Sequence, residues 1–149
     1  MGANLGDAAA TVEHALARLG SLGAVLRRSS LYRTKPWGRL DQPDFVNAAA
    51  ILQTPLAPRE LLEALQRIER EFGRTRGPMW GPRTLDLDIL TYDDQHIDEP
   101  GLVVPHRGLR TRASVLIPLA EIDPGFVEPA AALPAGARAE VVPLGEVKR

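Results

Sequence analysis

The chain has 149 residues, of which 44% are hydrophobic and 25% charged, and its formal net charge is −1. These values are typical of one globular domain, and they provide no overall attraction to nucleic acid or to an acidic membrane surface. The absence of cysteine excludes disulfide bonds and cysteine-based metal or nucleophile chemistry. Since the sequence shows neither an apolar run of membrane-spanning length nor a secretion-signal pattern, we expect a cytoplasmic protein that binds neither nucleic acid nor membranes.

The first half of the sequence predicts one helix and two strands. Asp7 can cap a helix that ends at Gly20. The apolar face of this helix is formed by Val12, Ala15, Leu16 and Leu19. Residues 25–32 and 45–53 are predicted strands, and the turn-forming residues between them predict a long loop that contains Trp37.

The second half begins with a clearly amphipathic helix. Pro58 suits the first turn of this helix, and the apolar stripe along the helix ends just before Gly73. The stripe consists of Leu61, Leu62, Leu65, Ile68 and Phe72. Further along the chain we predict a polar loop at 73–82, a strand at 85–90, an irregular return at 96–105, a short helix or strand at 115–122 and a short strand at 140–144.

Asp86 and Asp88 are the most informative pair in the sequence. They alternate with Leu85, Leu87 and Ile89, which is the pattern of a half-buried strand. Alternate residues of a strand point to the same face, roughly 7 Å apart. Two adjacent carboxylates repel each other, and Mg²⁺, which prefers oxygen ligands, removes that cost. A solvated outer face is the alternative, and it is the more common one for an isolated Asp-x-Asp.

The residues before this pair favour a functional role for the two aspartates over a solvated outer face. Arg74, Arg76 and Arg83 supply cations, and Trp80 supplies a flat aromatic surface. Guanidinium groups, metal-binding carboxylates and an aromatic side chain are together the parts needed to bind a nucleoside polyphosphate.

The run WGPRTLDLDIL, residues 80–90, resembles the signature of the 6-hydroxymethyl-7,8-dihydropterin pyrophosphokinase family, and GANLG at residues 2–6 resembles the loop before that family's first helix. The likeness extends from Gly2 to about Glu121. It implies an enzyme of folate biosynthesis that transfers pyrophosphate from ATP to a pterin alcohol and releases AMP. It also implies a functional link to dihydroneopterin aldolase and dihydropteroate synthase.

The resemblance implies a role for each residue of the site. Asp86 and Asp88 would hold two Mg²⁺ ions, and the catalytic residues would be Arg74, Arg83 and Asp88, although a water could equally accept the hydroxyl proton. The ATP-binding positions are Gln66, Arg76, Trp80, Ile89, His106 and Arg112. The pterin-binding positions are Thr34, Trp37, Phe45 and Asn47. Taken singly, a surface arginine or histidine is more often solvated, and Phe45 would more often be strand core.

Three positions depart from the family pattern. Ser114 stands where a phenylalanine usually stacks on the pterin, which would cost on the order of 1 kcal/mol of binding. Gly77 stands in place of a lysine found in some relatives, and Arg107 in place of an aromatic residue.

The order of predicted elements is helix, strand, strand, helix, strand. One strand in front would complete βαββαβ, so we predict an α+β, ferredoxin-like sandwich. We expect a single domain over residues 1–149, with a core at 1–121 and a peripheral Pro/Ala-rich C-terminal extension at 122–149.

The first, central strand of that fold is missing from this sequence, because Met1 stands where the strand should end. Four buried side chains at about 1.5–3 kcal/mol each would rival the total stability of a domain, about 5–15 kcal/mol. We therefore expect that the natural product begins upstream, or that the chain is a truncated reading of a longer gene. Otherwise the sheet is incomplete or the tail substitutes for the strand. The alternative function is a non-catalytic domain that binds nucleotide or a partner, and an RNA-binding module is a more distant one.

Overall fold

The computed structural model describes residues 1–4, 6–35, 43–73 and 85–144. Its strands are β1 (Gly2–Ala3), β2 (Ala24–Arg28), β3 (Tyr32–Thr34), β4 (Phe45–Asn47), β5 (Ala50–Gln53), β6 (Ile97–Glu99), β7 (Leu102–Val104) and β8 (Val141–Pro143). Its α-helices are α1 (Ala8–Leu19), α2 (Pro58–Glu71), α3 (Ala113–Ile122), α4 (Val127–Ala131) and α5 (Ala135–Ala139). The described residues form a mixed α+β structure in which the strand pairs are antiparallel.

The two long helices agree with the sequence prediction. The Asp7 carboxylate accepts a hydrogen bond from the backbone N–H of Ala10 and caps α1, whose predicted apolar face is buried. Pro58 occupies the first turn of α2, and Leu61, Leu65 and Ile68 of its stripe are buried. Both helices contribute to one apolar cluster, which also contains Leu85 and Leu87.

Each of the two predicted strands in the first half is divided into two. The sheet with strand order β1-β4-β3-β8 contains one half of each, and the β2-β5 pair contains the other. The division at Ser29 has a local cause: its backbone N–H donates to the carbonyl oxygen of Ala49, and its hydroxyl accepts from the N–H of Ala49. Beyond this point the chain changes its pairing partner from β5 to β4.

The prediction of a strand over residues 85–90 was largely wrong. Within this segment, backbone pairing consists of a single bridge between Asp86 and Gly2. Leu87 uses its backbone N–H elsewhere, in a 2.7 Å hydrogen bond to the buried Glu69 carboxylate. The predicted alternation of buried and exposed side chains is nevertheless present, because Leu85 and Leu87 are buried while Asp88 is exposed.

The prediction of an irregular return at 96–105 was also wrong. This stretch contains the hairpin β6-β7, in which Ile97 pairs with Val104 and Glu99 with Leu102. Pro100 and Gly101 form its turn, and Gly101 adopts a φ of 75°, which favours glycine.

The C-terminal region belongs to the packed structure more fully than its composition suggests. The segment predicted as a short helix or strand is α3, and the strand predicted at 140–144 is β8, which pairs with β3 at the edge of the sheet. Ala130, Leu133 and Val141 are buried. Among the described residues, no helix is both long enough and apolar enough to cross a membrane.

Candidate active site

β1 joins two groups of site residues. Gly2 pairs with Asn47 of β4 on one side and exchanges two backbone hydrogen bonds with Asp86 on the other, of 3.0 and 2.8 Å. Since adjacent strands lie about 4.8 Å apart, the backbones of Asn47 and Asp86 are about 10 Å apart with Gly2 between them. The structure therefore places a predicted pterin-binding residue and a predicted metal ligand on opposite sides of one glycine.

The acidic segment is held at three points. Asp86 is bonded to Gly2, the N–H of Leu87 donates to Glu69, and the carbonyl oxygen of Leu90 accepts from the backbone N–H of His106 over 2.8 Å. These contacts fix the backbone on both sides of Asp88. Its side chain is 61% exposed, and Asp88 lines a cavity of about 590 Å³.

His106 faces Asp88 across this cavity. The Nε2 atom of His106 lies 4.0 Å from Oδ2 of Asp88. The Nδ1 atom accepts a 2.9 Å hydrogen bond from the backbone N–H of Gly108, so in the neutral ring the proton sits on Nε2, on the side of the aspartate. The cavity is lined by Leu62, Asp88, Ile89, Gly101, Leu102, Val103, His106, Arg107, Gly108, Thr111 and Arg112.

Gly108 allows the arginine of this wall to pack closely. A Cβ atom at Gly108 would lie 2.5 Å from Cδ of Arg112 and 3.4 Å from Cε1 of His106. The missing side chain therefore lets the Arg112 stem lie against the turn that carries His106. The Nε2 atom of His106 thus lies beside the exposed carboxylate of Asp88, and Arg112 lines the same cavity.

Both aspartate carboxylates lie near the amino group of Met1. Burial lowers the pKa of this ammonium group, and the negative charges of Asp88 and Asp86 oppose that shift. That the two carboxylates share a face stays a prediction from the sequence.

The predicted pterin-binding residues are also clustered. The side-chain amide of Asn47 donates a 2.7 Å hydrogen bond to the hydroxyl of Thr34, and Thr34 pairs with Phe45 across β3 and β4. Thr34 is buried, whereas Asn47 and Phe45 are half-buried. An aromatic face beside an amide is suited to a flat heterocycle with polar edges.

Several predicted residues lie outside this arrangement or outside the described residues. Gln66 is exposed on α2, and Leu62, one turn earlier, lines the cavity instead. Arg107 is exposed at the cavity wall, and Ser114 lies in the first turn of α3. The residues outside the described ranges are Trp37, Arg74, Arg76, Gly77, Trp80 and Arg83.

Two buried polar residues were missed by the sequence analysis. Glu69 is 8% exposed and binds the backbone between the two aspartates. Asn4 is 2% exposed, and its amide donates to the carbonyl oxygen of Pro43 over 3.0 Å, which fixes the approach to β4. Glu69 follows Ile68 on α2, and no local sequence pattern marks it, because its partner is the distant backbone N–H of Leu87.

Comparison with known proteins gives a consistent result. The family model described as 7,8-dihydro-6-hydroxymethylpterin-pyrophosphokinase (HPPK) matches residues 1–124. A protein of Methylorubrum extorquens is 46% identical over 129 residues, which cover 85% of this chain and 82% of that protein. One of Pseudomonas aeruginosa is 48% identical over 126 residues, covering 83% and 78%, and one of Bacillus subtilis is 47% identical over 124 residues, covering 82% and 74%.

All three relatives are named 2-amino-4-hydroxy-6-hydroxymethyldihydropteridine pyrophosphokinase. The matched residues include β1, both aspartates, the histidine and the arginine of the cavity, and the Asn47–Thr34 pair. The chain therefore belongs to the 7,8-dihydro-6-hydroxymethylpterin-pyrophosphokinase family.

Proposed function

We propose that the residues around Asp88, His106 and Asn47 carry out the reaction for which the family is named. The chain transfers pyrophosphate to 6-hydroxymethyl-7,8-dihydropterin in folate biosynthesis. ATP is the donor and AMP the second product. The observation that carries the assignment of residues is the position of Gly2, which pairs with Asn47 on one side and Asp86 on the other.

Asp86 and Asp88 would hold Mg²⁺. Alternate residues of an extended segment point to the same side, which would place both carboxylates around one hard cation. Asp88 lines the 590 Å³ cavity, and Asp86 is held beside it by the bridge to Gly2. Two protein carboxylates completed by water and phosphate oxygens are typical of magnesium bound with a nucleotide. When bound, the cation would neutralise negative charge on the transferred phosphates.

His106 and Arg112 are positioned to bind the polyphosphate of ATP. Both line the 590 Å³ cavity, and the Nε2 atom of His106 is on the side of Asp88. A planar guanidinium can bind two phosphate oxygens at once. Ile89 and Leu62 would provide the apolar part of the same cavity for the base. The predicted phosphate contacts of Gln66, Arg74, Arg76 and Arg83, and the closure by Trp80, complete the proposal.

The pterin would lie over Phe45, with its polar edge at the Asn47 amide. Thr34 orients this amide, since its hydroxyl oxygen accepts one of the two N–H groups and leaves the other N–H and the carbonyl oxygen for a ligand. Trp37 would cover the ring on the other side. This arrangement would direct the hydroxymethyl oxygen toward Asp86 and Asp88. That oxygen would bond to the β-phosphorus of ATP as the bond from this phosphorus to the α-phosphate oxygen breaks and AMP leaves, and its proton would pass to Asp88 or to a water. Most of the rate enhancement would come from positioning and charge rather than from covalent chemistry.

The finer description of the molecule is also a proposal. We interpret the antiparallel strands and helices as a ferredoxin-like core over residues 1–121 with an extension at 122–149. A cytoplasmic location and a functional link to dihydroneopterin aldolase and dihydropteroate synthase stay predictions from the sequence.

The assignment is tested by replacing both aspartates. Asp86→Ala with Asp88→Ala should lower pterin-dependent AMP release by at least about a hundredfold, because the charge on the transferred phosphates is no longer balanced. The matched control is Asp94→Ala with Asp98→Ala, which removes the same charge from two exposed positions outside the cavity. Circular dichroism checks that both variants fold. Normal AMP release by the first variant would refute the metal assignment. The absence of AMP release by the unaltered chain would favour a binding module.

A further inference from the structure

The short strand β8 lies next to a residue of the predicted pterin site. In the sheet with strand order β1-β4-β3-β8 it pairs with β3 in antiparallel register, so that Val141 stands opposite Thr34. The backbone N–H of Leu144 also donates to the carbonyl oxygen of Leu31 over 3.0 Å. A strand from the segment proposed as the C-terminal extension thus continues the sheet directly beside Thr34.

The pairing geometry brings the side chains of Val141 and Thr34 close together. In an antiparallel pair, residues that exchange backbone hydrogen bonds alternate with residues that do not, and the latter have the shorter Cα separation, about 4.5 Å against about 5.5 Å. Leu31 and Leu144 are a hydrogen-bonded pair. Thr34 and Val141, three positions further along the same register, are therefore a non-hydrogen-bonded pair, and their side chains lie side by side on one face of the sheet.

This face of the sheet is the one that would bind the pterin. Phe45 of β4 stands opposite Thr34 on the other side, so Phe45, Thr34 and Val141 form one row across three adjacent strands. Phe45 is half-buried, whereas Thr34 and Val141 are buried. Val141 thus closes the row on the side away from the aromatic ring.

β8 is held in place on both of its faces. It contacts α3 and α5 as well as β3. On the face opposite Val141, Leu144 packs against the apolar cluster that contains Leu31 and Val46. The position of Val141 is therefore fixed by several elements, and Val141 can act as a rigid neighbour for Thr34.

Thr34 has its hydroxyl on the β4 side, where it accepts the 2.7 Å hydrogen bond from the Asn47 amide. The threonine side chain is branched at Cβ, so only a few staggered rotamers are open to it. Rotation about χ1 would move the hydroxyl away from Asn47 and toward the apolar surface of Val141. A buried hydroxyl without a hydrogen-bond partner is unfavourable, and Val141 therefore disfavours that rotation.

We propose that Val141 is a positioning residue for the pterin site, because it holds the Thr34 hydroxyl toward Asn47. The inference rests on the proposed function, in which the Asn47 amide binds the polar edge of the pterin. With one N–H bonded to Thr34, the amide presents a fixed arrangement of donor and acceptor to the ligand. Val141 acts through Thr34 and not by binding the substrate itself.

The first measurement is the solvent exchange of the Asn47 side-chain amide protons, followed by nuclear magnetic resonance in the chain without substrate. Val141→Ala should speed the exchange of the proton that is bonded to Thr34 at least about fivefold, because the space left beside Thr34 lets its hydroxyl turn away. Val142→Ala is the matched control and should leave the exchange unchanged. Val142 is the next residue of β8, points to the opposite face and is 41% exposed.

A second variant tests the same contact without removing volume from the buried row. Val141→Thr places a hydroxyl beside Thr34, and two threonines opposite each other in a sheet can form a hydrogen bond. This competing partner should draw the Thr34 hydroxyl away from Asn47 and also speed the exchange. The variant decides the question if Val141→Ala is too unstable to measure, and circular dichroism checks that each variant folds.

The second measurement is the KM for each substrate in pterin-dependent AMP release. Val141→Ala should raise the KM for the pterin about fivefold and change the KM for ATP less than about twofold. Val141→Ile keeps both branches at Cβ and should restore the pterin KM. In a Thr34→Val background, which has no hydroxyl to orient, Val141→Ala should have no further effect on the pterin KM.

The proposal is overturned if exchange at Asn47 is unchanged in both Val141 variants, or if the two KM values rise equally. It is also overturned if the pterin KM stays normal despite faster exchange, or rises as much in the Thr34→Val background as in the unaltered chain. Absence of AMP release by the unaltered chain would instead contradict the proposed function. In that case the exchange of the Asn47 amide decides alone whether Val141 orients Thr34.

Discussion

At the scale of single residues, Gly2 is the position on which both halves of the site depend. A Cβ atom there would lie 2.4 Å from Oδ1 of Asn47, which is closer than two such atoms can approach. The Asn47 amide would have to move, and its hydrogen bond to Thr34 would be lost. The need for glycine here thus comes from the neighbouring strand and not from an unusual backbone angle.

We therefore predict that Gly2→Ala weakens pterin binding more than ATP binding. The KM for the pterin should rise about tenfold. A shift of the Asn47 amide by up to about one ångström would misplace its polar contact with the pterin. Steady-state kinetics with each substrate varied in turn measures the effect. Gly136→Ala is the matched control, because no atom lies within 4 Å of a Cβ atom at that position. An equal rise in both KM values would show that Gly2 acts on the fold as a whole.

At the scale of elements, the acidic segment is positioned by side chains as much as by a sheet. Residues 85–90 form one backbone bridge, and the buried carboxylate of Glu69 holds Leu87 between the two aspartates. This hydrogen bond ties the acidic segment to the helix α2, which thereby helps to fix the position of the residues that would bind metal. We infer that Glu69 is a positioning residue, since it contacts the backbone of the candidate site and is not among the residues that line the 590 Å³ cavity.

Glu69→Leu should reduce kcat at least about tenfold and raise the Mg²⁺ concentration needed for half-maximal rate, because the Leu87 N–H would lose its acceptor and both aspartates would move. Glu69→Gln keeps an acceptor oxygen and should restore most of the activity. Glu63→Leu, at an exposed position of the same helix, controls for the change in side chain. A Glu69→Leu enzyme with normal Mg²⁺ dependence would contradict the positioning role.

The same elements show how far the sequence could predict the structure. The bounds of α1 and α2 follow from caps and from periodicity within one segment, and both are local properties. The strands at 25–32 and 45–53 are divided because they change partners, and pairing depends on residues distant in sequence. The β6-β7 hairpin was missed although Pro100 and Gly101 gave a turn signal, because its strands are only three residues long.

The candidate site was likewise only partly predictable from the sequence. The pattern of residues 85–89 indicated two carboxylates on one face, and the family resemblance supplied the histidine, the arginine and the pterin-binding residues. Neither could reveal Glu69 or Asn4, because their importance comes from burial beside a backbone group of a distant segment. A polar residue that completes a distant hydrogen bond has no local sequence pattern of its own.

At the scale of the whole molecule, Glu121 joins α3 to the strands of the first half. Its carboxylate accepts hydrogen bonds from the Tyr32 hydroxyl, over 2.6 Å, and from the backbone N–H and hydroxyl of Ser30, each over 3.0 Å. Burial acts to raise the pKa of Glu121, but the hydrogen bonds from Tyr32 and Ser30 and the charge of Arg28 outweigh it and lower the pKa. The ionised carboxylate therefore stabilises the fold.

The sign of the pH dependence follows from this shift. A carboxylate whose pKa is lower in the folded state than in the unfolded state contributes stability above the unfolded pKa, and loses it as the pH falls through the folded pKa. Glu121→Gln should accordingly reduce the free energy of unfolding near pH 7, and the difference from the unaltered chain should shrink as the pH falls below the ordinary glutamate pKa and through the lowered pKa of the folded state. Urea titrations at a series of pH values measure this difference, with Glu128→Gln on the exposed side of α4 as the control. A difference that stays constant as the pH falls through this acidic range would mean that the Glu121 contacts do not depend on the charge of the carboxylate.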